Sequence, residues 1–276
     1  MFQFFTEDSK YLYHYTSIEK ALDFILKDRT LMFNSLRGTN DPKESKNWKF
    51  DFHVEDKLSP TYDESMKLWH DVSEEIKTKC KVLCFSKDMP GLGQDMINDI
   101  YLRGFAKPRM WAQYGDNHKG LCFAFERKRI EALLIEQFGQ CAELYGSDIN
   151  YKNSPLKGDI TRSPYTLDYP LLREVGIAEY VKLHIDTYNA ELIFEKSLDW
   201  RDENEYRFLM HIDSLENQFL HFENALKGIV FGADTSEEHQ RAVFQATYKG
   251  GMQFEQICYS NGTPWFSFKD FRQYHT

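Results

Sequence analysis

The chain has 276 residues, 42% of them hydrophobic and 16% aromatic, which is enough to bury a sizeable core and excludes a disordered chain. Its formal net charge of -9 disfavours nucleic-acid binding through bulk charge, because an acidic surface repels phosphate. The N-terminal MFQFFTEDSK lacks the pattern of a signal peptide, and no apolar run approaches membrane-spanning length. Together with an odd number of cysteines, five, these features predict a cytoplasmic protein with reduced thiols and no membrane partner.

The first 42 residues predict a strand, a helix, a second strand and a polar loop. Leu12–Tyr15 is the first strand, and Thr16 with Glu19 matches a capping box ahead of a helical apolar face. Residues 30–35, TLMFNS, are the second strand. The following RGTNDP carries turn residues, and Asp41 within it is interpreted as part of a simple turn.

The rest of the chain predicts short strands and helices that do not alternate strictly. The helices are expected at 61–79, near 127–138, over 171–197, and after Thr235 with Glu238; the strands at 81–86, 120–125, around 147–151, 205–210, 219–222, 228–232 and in EQICYS. This order favours an α+β fold with mixed, mainly antiparallel sheets and flanking helices over a doubly wound sheet. Prolines and a glycine in 152–170 predict a long loop, so we expect one domain, 1–276, with a helical and loop insertion around 152–197.

Residues 110–125, MWAQYGDNHKGLCFAF, combine a polar and aromatic segment with a buried strand. GLCFAF has the apolar run of the strand, and Gly120 allows a tight entry into it. The preceding residues have neither a helical nor a strand period. We interpret them as the wall of a pocket, to which Trp111 and Tyr114 would offer flat surfaces.

Several segments together resemble a known protein family. In chain order they are LYHYTS, LMFNSLRGTNDPKE, VLCFS, MWAQYGDNHKGLCFAF, EKSLDWRDENEYRF and LKGIVFGADTS. This order resembles the bacterial "domain of unknown function 2971" family, from about Tyr11 to Glu238. The family implies no particular reaction.

A second resemblance does imply a reaction. His14-Tyr15-Thr16, Phe33-Asn34-Ser35 and Glu203-Asn204-Glu205 are similar to the three motifs of ADP-ribosyltransferases, although the second motif is usually Ser-Thr-Ser. The resemblance implies an ADP-ribosyltransferase-like fold and an NAD-consuming enzyme, either a transferase or an NAD glycohydrolase. Such proteins often act as toxins or in defence against phage.

The chemistry of NAD cleavage suggests a role for each motif. Breaking the nicotinamide–ribose bond develops positive charge on the sugar, which a nearby carboxylate stabilises. We expect Glu205 to do this, with Glu203 orienting the acceptor, because alternation along a strand would put both carboxylates on one face. His14 would anchor NAD through a ribose hydroxyl or the neighbouring backbone.

The remaining cofactor-binding candidates surround these three. The other motif residues are Tyr15, Thr16, Phe33, Asn34 and Ser35. Phe33, Trp111 and Tyr114 are candidates for stacking on nicotinamide, and Arg37 or Arg109 for contacting the diphosphate. NAD would be a substrate, the acceptor macromolecule is not identified, and no metal is expected, since Cys80 and Cys84 lack a second pair of ligands.

Other interpretations fit the same residues. Glu205 followed by Arg207 is also typical of an ion pair on one face of a strand, and His14 of a structural histidine. A non-catalytic module that senses a small molecule, a peptide or a nucleic-acid end is the main alternative function. A nuclease is a weaker alternative, because the acidic pairs Asp199/Asp202 and Glu203/Glu205 form no convincing metal constellation.

Overall fold

The structure, a computed structural model, describes residues 10–54, 59–93, 98–153, 163–247 and 251–275. The strands are β1 (Tyr11–Thr16), β2 (Thr30–Ser35), β3 (Asp51–His53), β4 (Cys80–Lys87), β5 (Leu121–Glu126), β6 (Glu143–Asp148), β7 (Asn150–Lys152), β8 (Thr166–Asp168), β9 (Glu195–Ser197), β10 (Glu205–His211), β11 (Gln218–His221), β12 (Leu226–Phe231), β13 (Gln253–Ser260) and β14 (Thr263–Phe266). The α-helices are α1 (Ile18–Lys20), α2 (Leu26–Asp28), α3 (Pro42–Ser45), α4 (Tyr62–Lys79), α5 (Pro108–Gln113), α6 (Arg127–Phe138), α7 (Tyr169–Val175), α8 (Ile177–Leu192) and α9 (Glu237–Thr247). None of the helices within these ranges is long and apolar enough to cross a membrane.

A ten-stranded sheet organises the chain. Its main path runs β11-β2-β4-β1-β5-β12-β13-β14, and β10 pairs with β4 on one side and β6 on the other. All of these pairs are antiparallel except β12 with β13. The prediction of an α+β fold with mixed, mainly antiparallel sheets is therefore confirmed.

The sheet forks at β4. Along one edge, β4 pairs with β10 over its whole length. Along the other, β1 pairs only with Ser86 and Lys87, and β2 pairs only with Lys81 and Val82. The middle of β4 therefore has no strand partner on that edge, and the two arms of the fork diverge around it.

Alternation along β10 divides its side chains between two buried clusters. Tyr206, Phe208 and Met210 pack into the cluster covered by α6 and α9. Leu209 packs into the cluster covered by α4 and α8, together with Val82 of β4. On the same face as Leu209, the residues nearer the start of β10 are Arg207 and Glu205, both buried and charged. This face of the strand therefore changes from apolar core to charged groups.

Most of the elements expected from periodicity are confirmed. β1, β2, β4, β5, β10 and β12, and helices α4 and α6, agree with the predicted ranges to within two residues. The strand expected around 147–151 is divided between β6 and β7. The helix expected over 171–197 is divided into α7 and α8, because Gly176 has a φ of 81° between them, and it ends before β9. Of the predicted loop 152–170, residues 154–162 lie outside the described residues.

Two predicted helix caps are wrong by one residue. Ser17, rather than Thr16, caps the first helical segment by accepting a hydrogen bond from the amide of Lys20. Ser236, rather than Thr235, accepts from the amide of His239 at the start of α9. Thr16 belongs instead to β1, and the Thr235 hydroxyl donates to the carbonyls of Lys119 and Gly120. The side chains have the expected chemistry, but tertiary contacts decide which hydroxyl caps the helix.

Gly120 is expected to be indispensable for the entry into β5. A Cβ at this position would lie 2.2 Å from the carbonyl oxygen of Thr16 and 2.9 Å from that of Gly115. Because both contacts are with backbone atoms, which cannot easily move away, we expect Gly120→Ala to lower the free energy of unfolding by about 1–3 kcal/mol. Gly38→Ala is the matched control, since a Cβ there meets nothing within 4 Å. Urea unfolding of both variants measures the difference, and equal stabilities would contradict it.

Candidate functional site

A cavity of about 200 Å³ opens on the unpaired middle of β4. Its wall includes residues of β1, β2, β4 and β10, the segment 38–44 that follows β2, and Tyr114 at the end of α5. Lys196 of β9, and Trp200 and Glu203 of the 3-10 helix Leu198–Glu203, complete it. The fork in the sheet thus creates the cavity, and chain segments far apart in sequence line it.

His14 bridges the gap between β1 and β4. Its Nδ1 lies 3.3 Å from the carbonyl oxygen of Cys84, and its ring meets that of Phe85 edge-on, with centroids 5.8 Å apart. Burial lowers the pKa of His14, although the Cys84 carbonyl opposes this effect. The imidazole is therefore neutral at pH 7, and it lines the cavity as a hydrogen-bonding group without charge.

A buried ion-pair network forms the floor of the cavity. The Arg207 guanidinium lies 2.7 Å from Oε1 of Glu205 through Nε and 2.7 Å from Oε1 of Glu44 through Nη1. Lys196 Nζ lies 2.7 Å from Oε2 of Glu205 and 2.8 Å from Oε2 of Glu203. Each of these five side chains is at most 8% exposed, so the charges are held together with little screening by water.

The network fixes the ionisation of its central carboxylate. Burial alone would raise the pKa of Glu205, but Arg207 and Lys196 outweigh burial and hold that pKa well below its usual range. Burial likewise opposes the charge on Lys196, yet Glu205 keeps the pKa of the ammonium well above its usual value. Glu205 is thus a permanently ionised carboxylate, with both oxygens engaged by cations.

A left-handed residue aligns the two glutamates. Asn204 has a φ of 43°, and it separates the 3-10 helix ending at Glu203 from the strand that begins at Glu205. Its side-chain amide donates to the carbonyl of Lys87, which anchors this turn on β4. The two carboxylates converge on one ammonium through this turn. The prediction that strand alternation would align them is wrong, because Glu203 is not in a strand.

Tyr114 connects the 110–125 segment to the network. Its hydroxyl donates to Oε1 of Glu203 at 2.7 Å. Burial and the neighbouring Glu203 raise the pKa of Tyr114 well above its usual range, so the phenol stays protonated and acts as a donor. Of the two flat surfaces expected from this segment, Tyr114 lines the cavity.

Half of the sequence-predicted site residues line the cavity. They are His14, Tyr15, Asn34, Tyr114, Glu203 and Glu205. His14, Asn34 and Glu205, one residue from each of the three motifs, are thus brought together. The other six, Thr16, Phe33, Ser35, Arg37, Arg109 and Trp111, are not among its lining residues.

Local contacts explain why the aromatic and hydroxyl candidates are elsewhere. Phe33 points into the apolar core, where its ring packs edge-on against that of Phe138. Trp111 is fully buried, and its Nε1 donates to the carbonyl of Phe105. Thr16 lies at the end of β1 that has diverged from β4, and Ser35 lies at the end of β2, where it pairs with Lys81 of β4.

Both arginine candidates for a diphosphate are engaged with protein groups. Arg37 donates to the carbonyl of Ser45 and pairs with Glu74 on α4. Arg109 pairs with Asp202 at 3.3 Å and is half exposed. It contacts the same 3-10 helix that carries Trp200, so it is close to the cavity wall without lining it.

Sequence reasoning missed three charged residues of the wall. Asp41 does cap α3 as a turn residue, accepting from the amide of Lys43, but it also lines the cavity. Glu44, in the same turn-rich segment, and Lys196 are nearly fully buried there. A charged side chain on a three-residue strand gives no periodic signal, and the burial of a charge cannot be read from spacing.

No cluster of three or more potential metal ligands occurs among the described residues, and all five cysteines are free thiols. Cys84 does line the cavity, where burial raises the pKa of its thiol well above the usual value. It is therefore a protonated, weakly polar part of the wall at neutral pH rather than a thiolate nucleophile.

Comparison with known proteins gives one match. Residues 110–208 match the model of a family described as "Protein of unknown function (DUF2971)". The matched part begins at Met110, at the start of the 110–125 segment, and includes Tyr114, Lys196, Glu203, Glu205 and Arg207. No curated protein and no solved structure matches the chain. The fold and site thus define an α+β protein with a charged cavity, similar over residues 110–208 to a family without an assigned function.

Arg207 is predicted to be the most sensitive residue of the network. Replacing it with methionine leaves Glu205 and Glu44 buried without the guanidinium, so we expect the free energy of unfolding to fall by about 3–5 kcal/mol. The exposed Arg173 of α7 is the control, and Arg173→Met should cost less than about 1 kcal/mol. Urea unfolding compares the two, and the double variant Arg207→Met/Glu205→Gln should lose less than the sum of its single changes. A small or additive loss would contradict this role.

Lys77 is predicted to make stability rise with pH. It is fully buried on α4, where its ammonium donates to the carbonyl of Glu44, and burial lowers its pKa from 10.5 to about 7. Between these values the unfolded chain binds the extra proton, so stability increases with pH by at most about 1.4 kcal/mol per unit. Urea unfolding at pH 7.5 and 9.0 should therefore show the wild type gaining up to about 2 kcal/mol relative to Lys77→Met. A pH-independent difference between the two proteins would contradict it.

Proposed function

We propose that this protein is an NAD-consuming enzyme, ADP-ribosyltransferase-like or an NAD glycohydrolase, whose cavity takes the nicotinamide ribosyl part of NAD. The observation that carries the proposal is the convergence of His14, Asn34 and Glu205 on one cavity. These residues come from the three sequence motifs that resemble those of ADP-ribosyltransferases. A role as a toxin or a phage-defence effector is part of the same proposal and rests only on that resemblance.

The charges of the cavity suit the reaction. In the proposed step the C1′–N1 bond of NAD breaks, its electron pair passes to nicotinamide, and the ribosyl cation is captured by the acceptor oxygen or nitrogen, which loses a proton. Ionised carboxylates beside C1′ would stabilise that cation without any change in their own protonation. Glu205 is held ionised by its cations, and Glu203 lies beside it on the same ammonium.

The two glutamates would divide the work. Glu205 has both oxygens engaged by Arg207 and Lys196, so in the proposal it acts mainly as a fixed electrostatic group. Glu203 is held by Lys196 and by the Tyr114 hydroxyl. Because a hydroxyl can rotate towards another partner, Glu203 is the better candidate to orient an acceptor.

The cavity itself offers no free cation to the diphosphate of NAD among the residues described. The only cations that line the cavity among the described residues are Lys196 and Arg207, and carboxylates already engage both. The diphosphate would therefore lie at or beyond the rim, where half-exposed Arg109 would be the nearest candidate to exchange Asp202 for a phosphate.

A non-catalytic binding module is the second candidate. The observation that favours it is the complete pairing of Glu205, which resembles a structural ion pair as much as a catalytic group. Such a module would use the same cavity to bind a small molecule without changing it.

Nicotinamide release from NAD tests the two candidates. For the enzyme we expect release by the purified wild type and a loss of about 10²–10³-fold in kcat for Glu203→Gln, which removes a charge next to the reacting sugar. Glu205→Gln should lower kcat at least as much. The unfolding of this variant is measured in parallel, because the substitution also weakens the ion pair with Arg207. Glu238→Gln, on the exposed face of α9, is the matched control and should retain full activity.

Binding measured without turnover separates the outcomes. If NAD raises the melting temperature but no nicotinamide forms, the protein is a binding module. If NAD neither stabilises the protein nor is consumed, both candidates fail for this nucleotide. Equal turnover by a folded Glu203→Gln variant would remove Glu203 from the mechanism.

A further inference from the structure

The cavity wall contains three buried carboxylate oxygens without a hydrogen-bond partner, one on Asp41 and two on Glu44. Asp41 is 5% exposed, and while its Oδ1 accepts from the amide of Lys43, its Oδ2 has no partner. Glu44 is 1% exposed, and neither of its carboxylate oxygens has a hydrogen-bond partner, although Oε1 forms an ion pair with Nη1 of Arg207 at 2.7 Å. Buried carboxylate oxygens normally accept hydrogen bonds, because leaving them unsatisfied is costly.

The cavity also has an excess of negative charge. The described side chains that line it include four carboxylates, on Asp41, Glu44, Glu203 and Glu205, and two cations, on Lys196 and Arg207. Lys196 engages Glu203 and Glu205, while Arg207 engages Glu205 and one oxygen of Glu44. The excess negative charge among the lining side chains therefore lies on the Asp41 and Glu44 side. Lys43 and Lys77, outside the lining, attract these carboxylates electrostatically, but their Nζ atoms donate to backbone carbonyls instead. Burial raises the pKa of Asp41, as expected for a carboxylate short of hydrogen-bond partners.

An organic cation satisfies both requirements better than a metal ion. The described residues contain no cluster of three metal-ligating side chains, and Arg207 already occupies one side of Glu44. A cation with N–H donors would supply the missing hydrogen bonds and neutralise the excess charge in one step. Tyr114, Met110 and Trp200 line the cavity as well, so a flat cationic ring would also meet aromatic and thioether surfaces.

We propose that Asp41 and Glu44 form a subsite that binds the positively charged, N–H-bearing end of an organic ligand. In the NAD reaction this end would be the nicotinamide ring with its carboxamide, so that assignment rests on the proposed function. The subsite would favour the charged pyridinium before cleavage over the neutral nicotinamide afterwards, and would thus help the product to leave.

A matched pair of small probes tests the subsite without a glycosidic bond or phosphates. The probes are 1-methylnicotinamide, which carries a permanent positive charge, and neutral nicotinamide; calorimetry measures their binding to the full chain. We expect the wild type to bind the cation at least about tenfold more tightly than the neutral amide. We expect Asp41→Asn to weaken binding of the cation by about 10- to 100-fold.

The variants are chosen to keep the fold intact. Asn is an equally good helix cap, so Asp41→Asn retains the acceptor for the Lys43 amide and removes only the charge. Glu44→Gln is the second variant. Its unfolding is measured in parallel, because Arg207 loses part of its pairing. If Glu44→Gln proves unstable, the test rests on Asp41→Asn alone. Asp23→Asn, at an exposed position, is the charge-matched control and should bind the cation like the wild type.

The outcomes distinguish the subsite from the reaction. Selective cation binding that depends on Asp41, without NAD turnover, supports the subsite and overturns the proposed enzyme. If the protein turns over NAD but does not prefer the cation, the subsite is wrong and the proposed enzyme is supported. The same conclusion follows if NAD is turned over and a folded Asp41→Asn variant binds the cation like the wild type. If the cation does not bind at all, the subsite is wrong.

Discussion

A single buried guanidinium holds the candidate site together. Arg207 lies on β10, which is flanked by β4 and β6, and it is fully buried. It reaches Glu205 on its own strand, Glu44 in the segment after β2 and the carbonyl of Ile193. These contacts come from three parts of the chain that no local pattern connects. A buried cation requires such partners, so the fold must bring β10, the 41–45 segment and the end of α8 to one point.

The fork at β4 gives that point its shape. Had β1 and β2 continued to pair with β4, the edge of residues 83–85 would be covered and no cavity would exist there. Instead the strands diverge, and the backbone carbonyl of Cys84 is met by His14. Where the pairing of β4 is interrupted, its backbone polar groups need other hydrogen-bond partners, because an unpaired buried backbone group is costly. His14 supplies such a partner, so the fork requires it whether or not it also binds a ligand.

The sequence predicts the elements of this fold better than the site they form. The strand predicted for TLMFNS and the helix predicted at 61–79 rest on local signals, and β2 and α4 confirm them. The pocket residues His14, Asn34 and Glu205 were found through motifs. Lys196, Asp41 and Glu44 were missed, because their importance lies in burial and in partners distant in sequence. Phe33 and Trp111 show the converse error, since large aromatic residues next to motif positions turned out to be core.

Ion pairing explains most of the charges of the cavity, but it leaves Asp41 without a cation partner and Glu44 with only a shared one. Glu203, Glu205, Lys196 and Arg207 pair among themselves, and such a set needs no ligand to be stable in the interior. Asp41 and Glu44 add two negative charges and three oxygens without a hydrogen bond beside it, and asparagine and glutamine of the same shapes would have avoided the charges. Local rules of satisfaction are broken most often where a protein binds something. The charge that completes this cavity is therefore best sought in its ligand.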